Sequence, residues 1–430
     1  MKYNLTSEQL NLVCVNISDE IKKGDKILKN KDITIFNSSI LDINNSNNIL
    51  IASRGWYGNV RSWDGINFVI LSLFTKDFKK IKQNIVDIDK DILTDNREFK
   101  QFKNKIMPHG KQVLVGPEDP RLFYYKNDIY ILVNELYKSD KYDDKIRNMF
   151  VSKINLDTLT YDNPKTNLCE VLSGTFEKNW GSFIHNKKLH MLYDINPLKI
   201  FEVNDDFECK LVCDVFDNML KKFSDSYPDL HFHIRNSSNL IDLGKNKYLG
   251  LGHSVLDYKT HTNINKYLLP SIDKSKYSEE DKVYFKKFFK LYSGFFFILD
   301  MKKKEITELS PFFQLPNYES KQELIFFPTS IFLDKQNYVN ISYNVGDNRS
   351  YFAKLHLDII KLSLYDKKNI DFQVNHNINS NYYIELIRTI RKFMGYTTAK
   401  KDYYKFKDTE KTLASKSSKN KTKKKKNNKH

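Results

Sequence analysis

The chain has 430 residues but only four cysteines, fourteen glycines and three tryptophans. Cys14, Cys169, Cys209 and Cys213 are too few and too scattered for a disulfide-stapled fold, and such usage suits a reducing compartment. Fourteen glycines exclude a collagen-like repeat. No apolar run approaches the roughly 18 residues that a membrane-spanning helix needs. The most apolar stretch, Phe295 to Leu299, is of strand length. Met1 to Glu20 lacks a basic region followed by an apolar one, so no secretory signal is read there and a cytoplasmic location is expected. Several catalytic motifs are missing as well. Neither Gly-x-Gly-x-x-Gly nor a Walker-type lysine loop occurs, and no Gly-x-Ser-x-Gly elbow marks a serine nucleophile. Cys209 and Cys213 followed by His231 and His233 fit no common zinc spacing, so neither a metal nor a cofactor is expected.

What is present is aromatic and cationic. Aromatic residues make up 14% of the chain and hydrophobic residues 40%, which excludes wholesale disorder and suffices for a sizeable core. The formal charge of +17 is unevenly placed. Residues 400–430 hold thirteen lysines against Asp402, Asp408 and Glu410, a net +10, so the other 399 residues hold only +7. That end is expected to be a disordered, solvated basic tail, with an anionic surface as its candidate partner. A nucleic-acid binder would need a basic stripe on the folded body, and no specific nucleic-acid partner is expected.

Short β-type runs broken by polar turns recur along most of the chain. Ser38–Asp42 leads into Ile49–Arg54, Arg121–Tyr125 into Ile129–Asn134, and Ser182–Ile184 into Leu189–Asp194. Ser238–Asp242 leads into Tyr248–His253, and Thr329–Leu333 into Tyr338–Tyr343. These are five strand–turn–strand units. A turn-to-turn step of about 60 residues leaves room for four strands, so an all-β, five-bladed β-propeller is predicted. A β-sandwich, or two β domains with no true repeat, is the competing arrangement. The longer last step contains a Lys/Ser/Tyr-rich insertion, Lys259 to Lys290, with a helix expected near Ser278 to Leu291. Tyr383, Ile384, Ile387 and Ile390 have helical spacing. The expected organisation is an N-terminal extension over 1–30, the propeller over 31–375, a helix over 376–396 and the tail over 397–430.

A hairpin brings the start of its first strand beside the end of its second. Five radial hairpins therefore gather ten chain points around one opening. Those points carry Arg54-Gly55-Trp56-Tyr57, Glu118-Asp119-Pro120-Arg121, Asn134-Glu135, Lys178-Asn179-Trp180, Asp194, His231 to Asn236, His253, Phe327 and Tyr343 to Asp347. Carboxylates, cations, amides and aromatics on one face suit a polyhydroxylated ligand such as an oligosaccharide. Asp119 precedes a proline and is expected to be extended, projecting with Arg121 to one side and away from Glu118. A structural Asp119–Arg121 pair is the bland alternative to catalysis.

Gly116-Pro117-Glu118-Asp119-Pro120-Arg121 resembles the Glu-Asp-Pro-Arg signature of glycoside hydrolase family 130, which contains β-mannoside phosphorylases and hydrolases, with related mannosyltransferases sharing its fold. Lys178-Asn179-Trp180, Tyr248 to His253, Phe327-Pro328 and Ser342-Tyr343 followed by Asp347 also look like that family's elements, in the same order. The resemblance spans about Leu50 to Asp347 and implies a five-bladed propeller. It further implies an inverting reaction at a mannose-like anomeric carbon, with Asp119 as the acid acting through a sugar hydroxyl. Arg54, Arg121 and Asp347 would bind sugar hydroxyls, Trp56 or Tyr57 would stack on a pyranose face, and Lys178, Asn179, Arg235, His253 and Tyr343 would complete the substrate site. Glu135, Asp194 and Asp347 are the candidates for the second carboxylate that an inverting hydrolase needs. The stretch Lys187 to Phe201 contains no arginine, which leaves His253 and Arg235 as the candidate anion ligands; a bidentate phosphate clamp looks incomplete and phosphorolysis ranks below hydrolysis or transfer. A non-catalytic glycan-binding propeller is the alternative function.

Overall fold

The computed structural model describes residues 5–44, 46–59, 64–94, 116–137, 146–162, 165–169, 178–220, 230–258, 290–317, 324–369, 382–394, 396 and 404–406. Strands dominate. The described chain opens with β1 (Leu12–Asn16) and the short helix α1 (Ile17–Lys22). A first antiparallel meander follows: β2 (Ile33–Asp42), β3 (Asn48–Asn59), β4 (Asp64–Thr75) and β5 (Lys80–Val86). After α2 (Lys90–Thr94), the second has β6 (Glu118–Tyr125), β7 (Asp128–Tyr137) and β8 (Ile146–Asn155), with β9 (Thr160–Tyr161) and β10 (Thr166–Asn167) both paired to β8. The third has β11 (Gly181–His185), β12 (Lys188–Ile195), β13 (Leu198–Val203) and β14 (Cys209–Val215).

In the fourth, β15 (Leu230–Asn236) and β16 (Ile241–Asp242) share one edge of β17 (Lys247–Tyr258), followed by β18 (Lys290–Asp300) and β19 (Glu305–Leu309). The fifth has β20 (Phe326–Leu333), β21 (Tyr338–Val345) and β22 (Arg349–His356), and β1 pairs with β22 to supply its fourth strand. The chain then forms α3 (Leu357–Leu362), β23 (Tyr365–Asp366), α4 (Tyr382–Phe393) and β24 (Tyr404–Phe406). A single parallel bridge, Ile35 opposite Arg349, links the fifth meander to the first. Among the described residues no sheet closes on itself.

All five hairpins read from the sequence are antiparallel pairs here. Two of them turn through two residues that both have positive φ, Lys126-Asn127 and Asn186-Lys187, and the fourth through three, Gly244-Lys245-Asn246. That geometry matches the twist of the flanking strands, and asparagine tolerates it better than most side chains. The core lies between the meanders. One apolar cluster joins the first and second through Leu50, Val69, Leu122 and Ile131. Others join the second to the third, the third to the fourth and the fourth to the fifth. A further cluster sets Phe352 of β22 against Ile35, Phe68 and Phe74 of the first. Each strand therefore alternates its apolar side chains toward both neighbouring sheets, and burial on both faces explains why so many strands read as continuous hydrophobic runs. Helix α4 buries Tyr383, Ile387 and Ile390, with Tyr383 set edge-on to Phe313. No described helix is long and apolar enough to cross a membrane.

Three sequence expectations need amending. Residues 259–289 of the insertion lie outside the described residues, but Lys290 and Leu291, assigned to its helix, open β18 opposite Asp257 and Leu256. They continue directly into the apolar run of Phe295–Leu299, which a strand buries. Most of the basic tail also lies outside, yet 404–406 form β24, parallel to β1. Finally, Cys169 and Cys209 are not free thiols: they form a disulfide between the second and third meanders, with Cα atoms 4.9 Å apart. The forty residues separating them hid this contact, which only the packing of the two sheets creates. The disulfide also takes Cys209 out of the Cys/His set weighed for zinc.

Candidate functional site

The first strand of a hairpin is interrupted in three of the five meanders, each time close to where that strand begins or where its polar residues lie. The register slips between Phe36 and Ser39 on β2, between Glu118 and Arg121 on β6, and between Pro328 and Ser330 on β20. Such bulges leave an extra residue unpaired and re-aim its side chain. On β6 this overturns the extended geometry expected for Asp119. Its φ is +49°, a left-handed conformation that Asp tolerates better than most residues, and the bulge brings Glu118 and Asp119 together onto one cation instead of separating them.

That cation is Arg54. Its Nη2 lies 3.0 Å from Glu118 Oε1 and its Nη1 lies 3.0 Å from Asp119 Oδ1. Its Nε donates to Asn67 Oδ1 at 2.7 Å, and its guanidinium sits 4.9 Å over the Phe36 ring. Glu118 is gripped from the other side by Arg147 Nη2 at 3.0 Å, and Asn37 Nδ2 donates to Asp119 Oδ1 at 2.6 Å. The network joins β2, β3, β4, β6 and β8, so the carboxylate positions depend on the packing of the first two meanders. Burial alone would raise the Asp119 pKa. Arg54, Arg121, the Asn37 hydrogen bond and Lys178 outweigh it and hold the carboxyl below its usual range.

Asp347 reaches the same place from the turn between β21 and β22, at φ +50°, and Asn344 Nδ2 donates to its Oδ1 at 3.1 Å. Its environment has the opposite outcome. Burial pushes the carboxyl up to about 6, Arg54 and Lys178 pull it down, and the charges of Asp119 and Glu118 add to the rise. Two carboxyl groups near one arginine are thereby held with different affinities for a proton.

These groups line a cavity of about 470 Å³. Its polar lining includes Asn37, Arg54, Glu118, Asp119 and Asp347 together with Lys178, Asn179, His233, Arg235 and Lys290. Phe36, Phe327 and Tyr292 supply aromatic surface. His253 stacks with Tyr292 at 5.9 Å and lies 4.8 Å from the Phe327 ring, while its Nδ1 is 2.6 Å from Ser237 Oγ. Burial, followed by Arg235, Lys178 and Arg121, holds its pKa well below the usual value, so the imidazole is neutral. Asn37 Oδ1 and Asn179 Oδ1 are buried without a protein partner. Acceptors of that kind on a cavity wall suit the hydroxyls of a bound ligand.

Of the residues singled out from sequence, Arg54, Asp119, Lys178, Asn179, Arg235, His253 and Asp347 share this cavity. The others lie elsewhere. Trp56 and Tyr343 are 0% exposed, so neither presents a ring to the cavity; Tyr343 instead donates to the Pro316 carbonyl. Arg121 is buried off the wall, donating through Nη1 to the carbonyls of Ser237 and Thr329, with its guanidinium 5.6 Å over Phe327. It ties the second meander to the fourth and fifth, and burial brings its pKa down to about 10 despite Asp119. Glu135 pairs with Lys165 at 3.1 Å. Asp194 accepts from the Ile195 N–H at 2.7 Å, and burial raises its pKa although Arg235 opposes the rise. Neither Glu135 nor Asp194 lines the cavity. Glu118 and His233, placed at the opening from sequence without a role, line it too, and Asn37, Lys290 and Tyr292 were missed. Asn37-Ser38-Ser39, a polar run inside an apolar strand, was the available signal for Asn37.

No family model and no curated protein matches this chain. Solved structures do. A mannose phosphorylase from Leishmania mexicana, in complex with phosphate ion, is 12% identical with a TM-score of 0.44, over 76% of this chain and 85% of that one. A GDP-Man-dependent mannosyltransferase from the same organism is 12% identical with a TM-score of 0.44, over 80% and 90%. A β-1,2-mannobiose phosphorylase from Listeria innocua, in complex with β-1,2-mannobiose, is 9% identical with a TM-score of 0.44, over 77% and 93%. At such identities and scores, the chemistry has to be read from the residues of this cavity.

Proposed function

We propose that the cavity breaks or forms a glycosidic bond of β-mannoside type by one inverting displacement, on a propeller of five blades. The cyclic succession of apolar clusters, each between neighbouring meanders and the last between the fifth and the first, supports the propeller. One observation carries the chemistry. Asp119 and Asp347 line a single cavity under the influence of Arg54, yet one is held ionised and the other holds its proton up to about pH 6. Separated proton affinities in a carboxyl pair are what general acid and base roles require. In this reading Asp347 gives its proton to the oxygen leaving the anomeric carbon. Asp119 takes the proton of the attacking water or sugar hydroxyl. One C–O bond breaks as another forms on the opposite face, and one proton is exchanged at each carboxyl group. The aromatic surface and the unpartnered amide oxygens of Asn37 and Asn179 bind the sugar. Hydrolysis or transfer to an acceptor is favoured over phosphorolysis because Lys187 to Phe201 offers no arginine.

A second reading follows the Glu-Asp-Pro-Arg signature and makes Asp119 the acid, with its proton relayed through a sugar hydroxyl. The pH dependence of kcat/KM separates the two. With Asp347 as acid, activity falls as pH rises through about 6, and Asp347→Asn removes that limb together with most of the rate. An unchanged alkaline limb in this variant assigns the acid role to Asp119. The reaction itself is tested with manno-oligosaccharides, with and without phosphate, and with activated mannose donors plus acceptors. Binding of these glycans without turnover of any would leave only the glycan-binding function.

A further inference from the structure

The charges along the cavity wall are unevenly paired. Arg54 spans Glu118 and Asp119, and Arg147 holds Glu118 from behind. Another part of the wall is built by the edge of the fourth meander. On β15, His233 and Arg235 are two residues apart and so share a face. The cross-strand register continues that face, with His233 opposite Val255 and Val255 opposite Tyr292, and Arg235 opposite His253. Lys178 approaches from the segment preceding β11. Arg235, Lys178 and His233 are exposed at the cavity. Among the described residues Arg235 is in no ion pair with a cavity carboxylate; Asp194, which feels its charge, lies off the wall. The same charges bear on His253: after burial, Arg235, Lys178 and Arg121 lower its pKa further.

Resting on the glycosidic reading above, we infer that the substrate carries an anionic group, a carboxylate or a phosphate ester, on the part of the glycan that lies against β15, and that Arg235 receives it, with Lys178 adding its charge. A neutral oligosaccharide would leave two exposed cations facing its hydroxyls, where they discriminate little. A carboxylate or phosphate oxygen pair accepts two parallel N–H bonds from the Arg235 guanidinium, with Lys178 adding a point charge and Tyr292 a flat apolar surface beside the ring. Arg235 and Lys178 therefore select the substrate, while the two aspartates act on it.

The test is calorimetric binding of the full chain to a neutral mannose-terminated disaccharide, its uronic-acid counterpart, its phosphate-monoester counterpart and inorganic phosphate. The acidic disaccharides should bind about tenfold or more tighter than the neutral one, and the tighter of the two identifies the group. Arg235→Gln should remove the preference, bringing the ratio of acidic to neutral affinity to about one. Arg235→Glu, with folding checked by circular dichroism, should reverse it. Equal affinities for neutral and acidic sugars, or a preference that survives both variants, overturns the inference. Inorganic phosphate binding as tightly as the acidic sugars also overturns it, because the sector would then hold a free anion. If no sugar binds and none is turned over, the glycosidic reading itself fails, an outcome distinct from sugars binding without preference.

Discussion

Asp347→Asn should stabilise the folded protein at neutral pH while removing activity. The Asp347 carboxyl is raised from 3.8 to about 6 by burial, with Asp119 and Glu118 adding to the effect over the opposition of Arg54 and Lys178. Between those two values the folded chain keeps a proton that the unfolded chain has released. The associated stability is complete below the unfolded pKa and is lost as pH rises through the folded one. A shift of about two units at about 1.4 kcal/mol each puts the loss near 3 kcal/mol by pH 7. Asparagine has no charge to desolvate, so it escapes this loss. It also tolerates the left-handed backbone at this position, and its amide oxygen can still accept from Asn344. Parent and variant would be unfolded in urea at pH 4, 5, 6 and 7, comparing midpoints at a shared slope. The variant's advantage over the parent should grow by about 3 kcal/mol across that range. Groups that titrate alike in both proteins cancel in the difference. A gap that stays constant with pH refutes the reasoning, because Asp347 would then be titrating like an exposed carboxylate. Turnover of the variant should fall by about 10²–10⁴-fold.

Asp119→Asn should lower kcat by a comparable factor while sugar affinity, measured by calorimetry, stays within a few-fold; retained turnover removes Asp119 from the mechanism. Arg121→Ala should cost about 3 kcal/mol or more in a denaturant titration, because it strips the buried Ser237 and Thr329 carbonyls of a charged donor. An Arg121→Ala protein of unchanged stability that has lost only sugar binding would return this residue to the substrate site. Removing residues 407–430, with their ten lysines against Asp408 and Glu410, should abolish salt-dependent retention on a polyanion column without altering turnover. Retention that survives the truncation places the anion-binding charge on the folded body.

The hairpins were legible because each rests on local signals: β-rich runs on either side of a turn short enough to need asparagine or lysine at positive φ. The convergence of polar residues was legible too, since hairpin geometry alone brings strand starts and strand ends together. Which of those residues meet was not. Two-residue alternation placed Glu118 opposite to Asp119, and a bulge of one residue, invisible to periodicity, put both on Arg54. Arg121 looked like a ligand for sugar because it adjoins Asp119, but its destination depends on carbonyls more than a hundred residues away. The Cys169–Cys209 disulfide is nonlocal in the same way.

Asn37, Asp119, Asn179 and Asp347 are all cavity residues with left-handed φ, at +49°, +49°, +67° and +50°. Each such conformation costs of order 1–3 kcal/mol and persists only where the surroundings impose it. Four of them around one opening, each an Asn or Asp whose short polar side chain suits that geometry, mark the cavity as the place where packing elsewhere in the fold sustains an unfavourable backbone. The return is positional. A backbone turned through this region directs a carboxyl or amide off the strand edge and into the opening, where regular β geometry would have laid it flat against a neighbouring sheet.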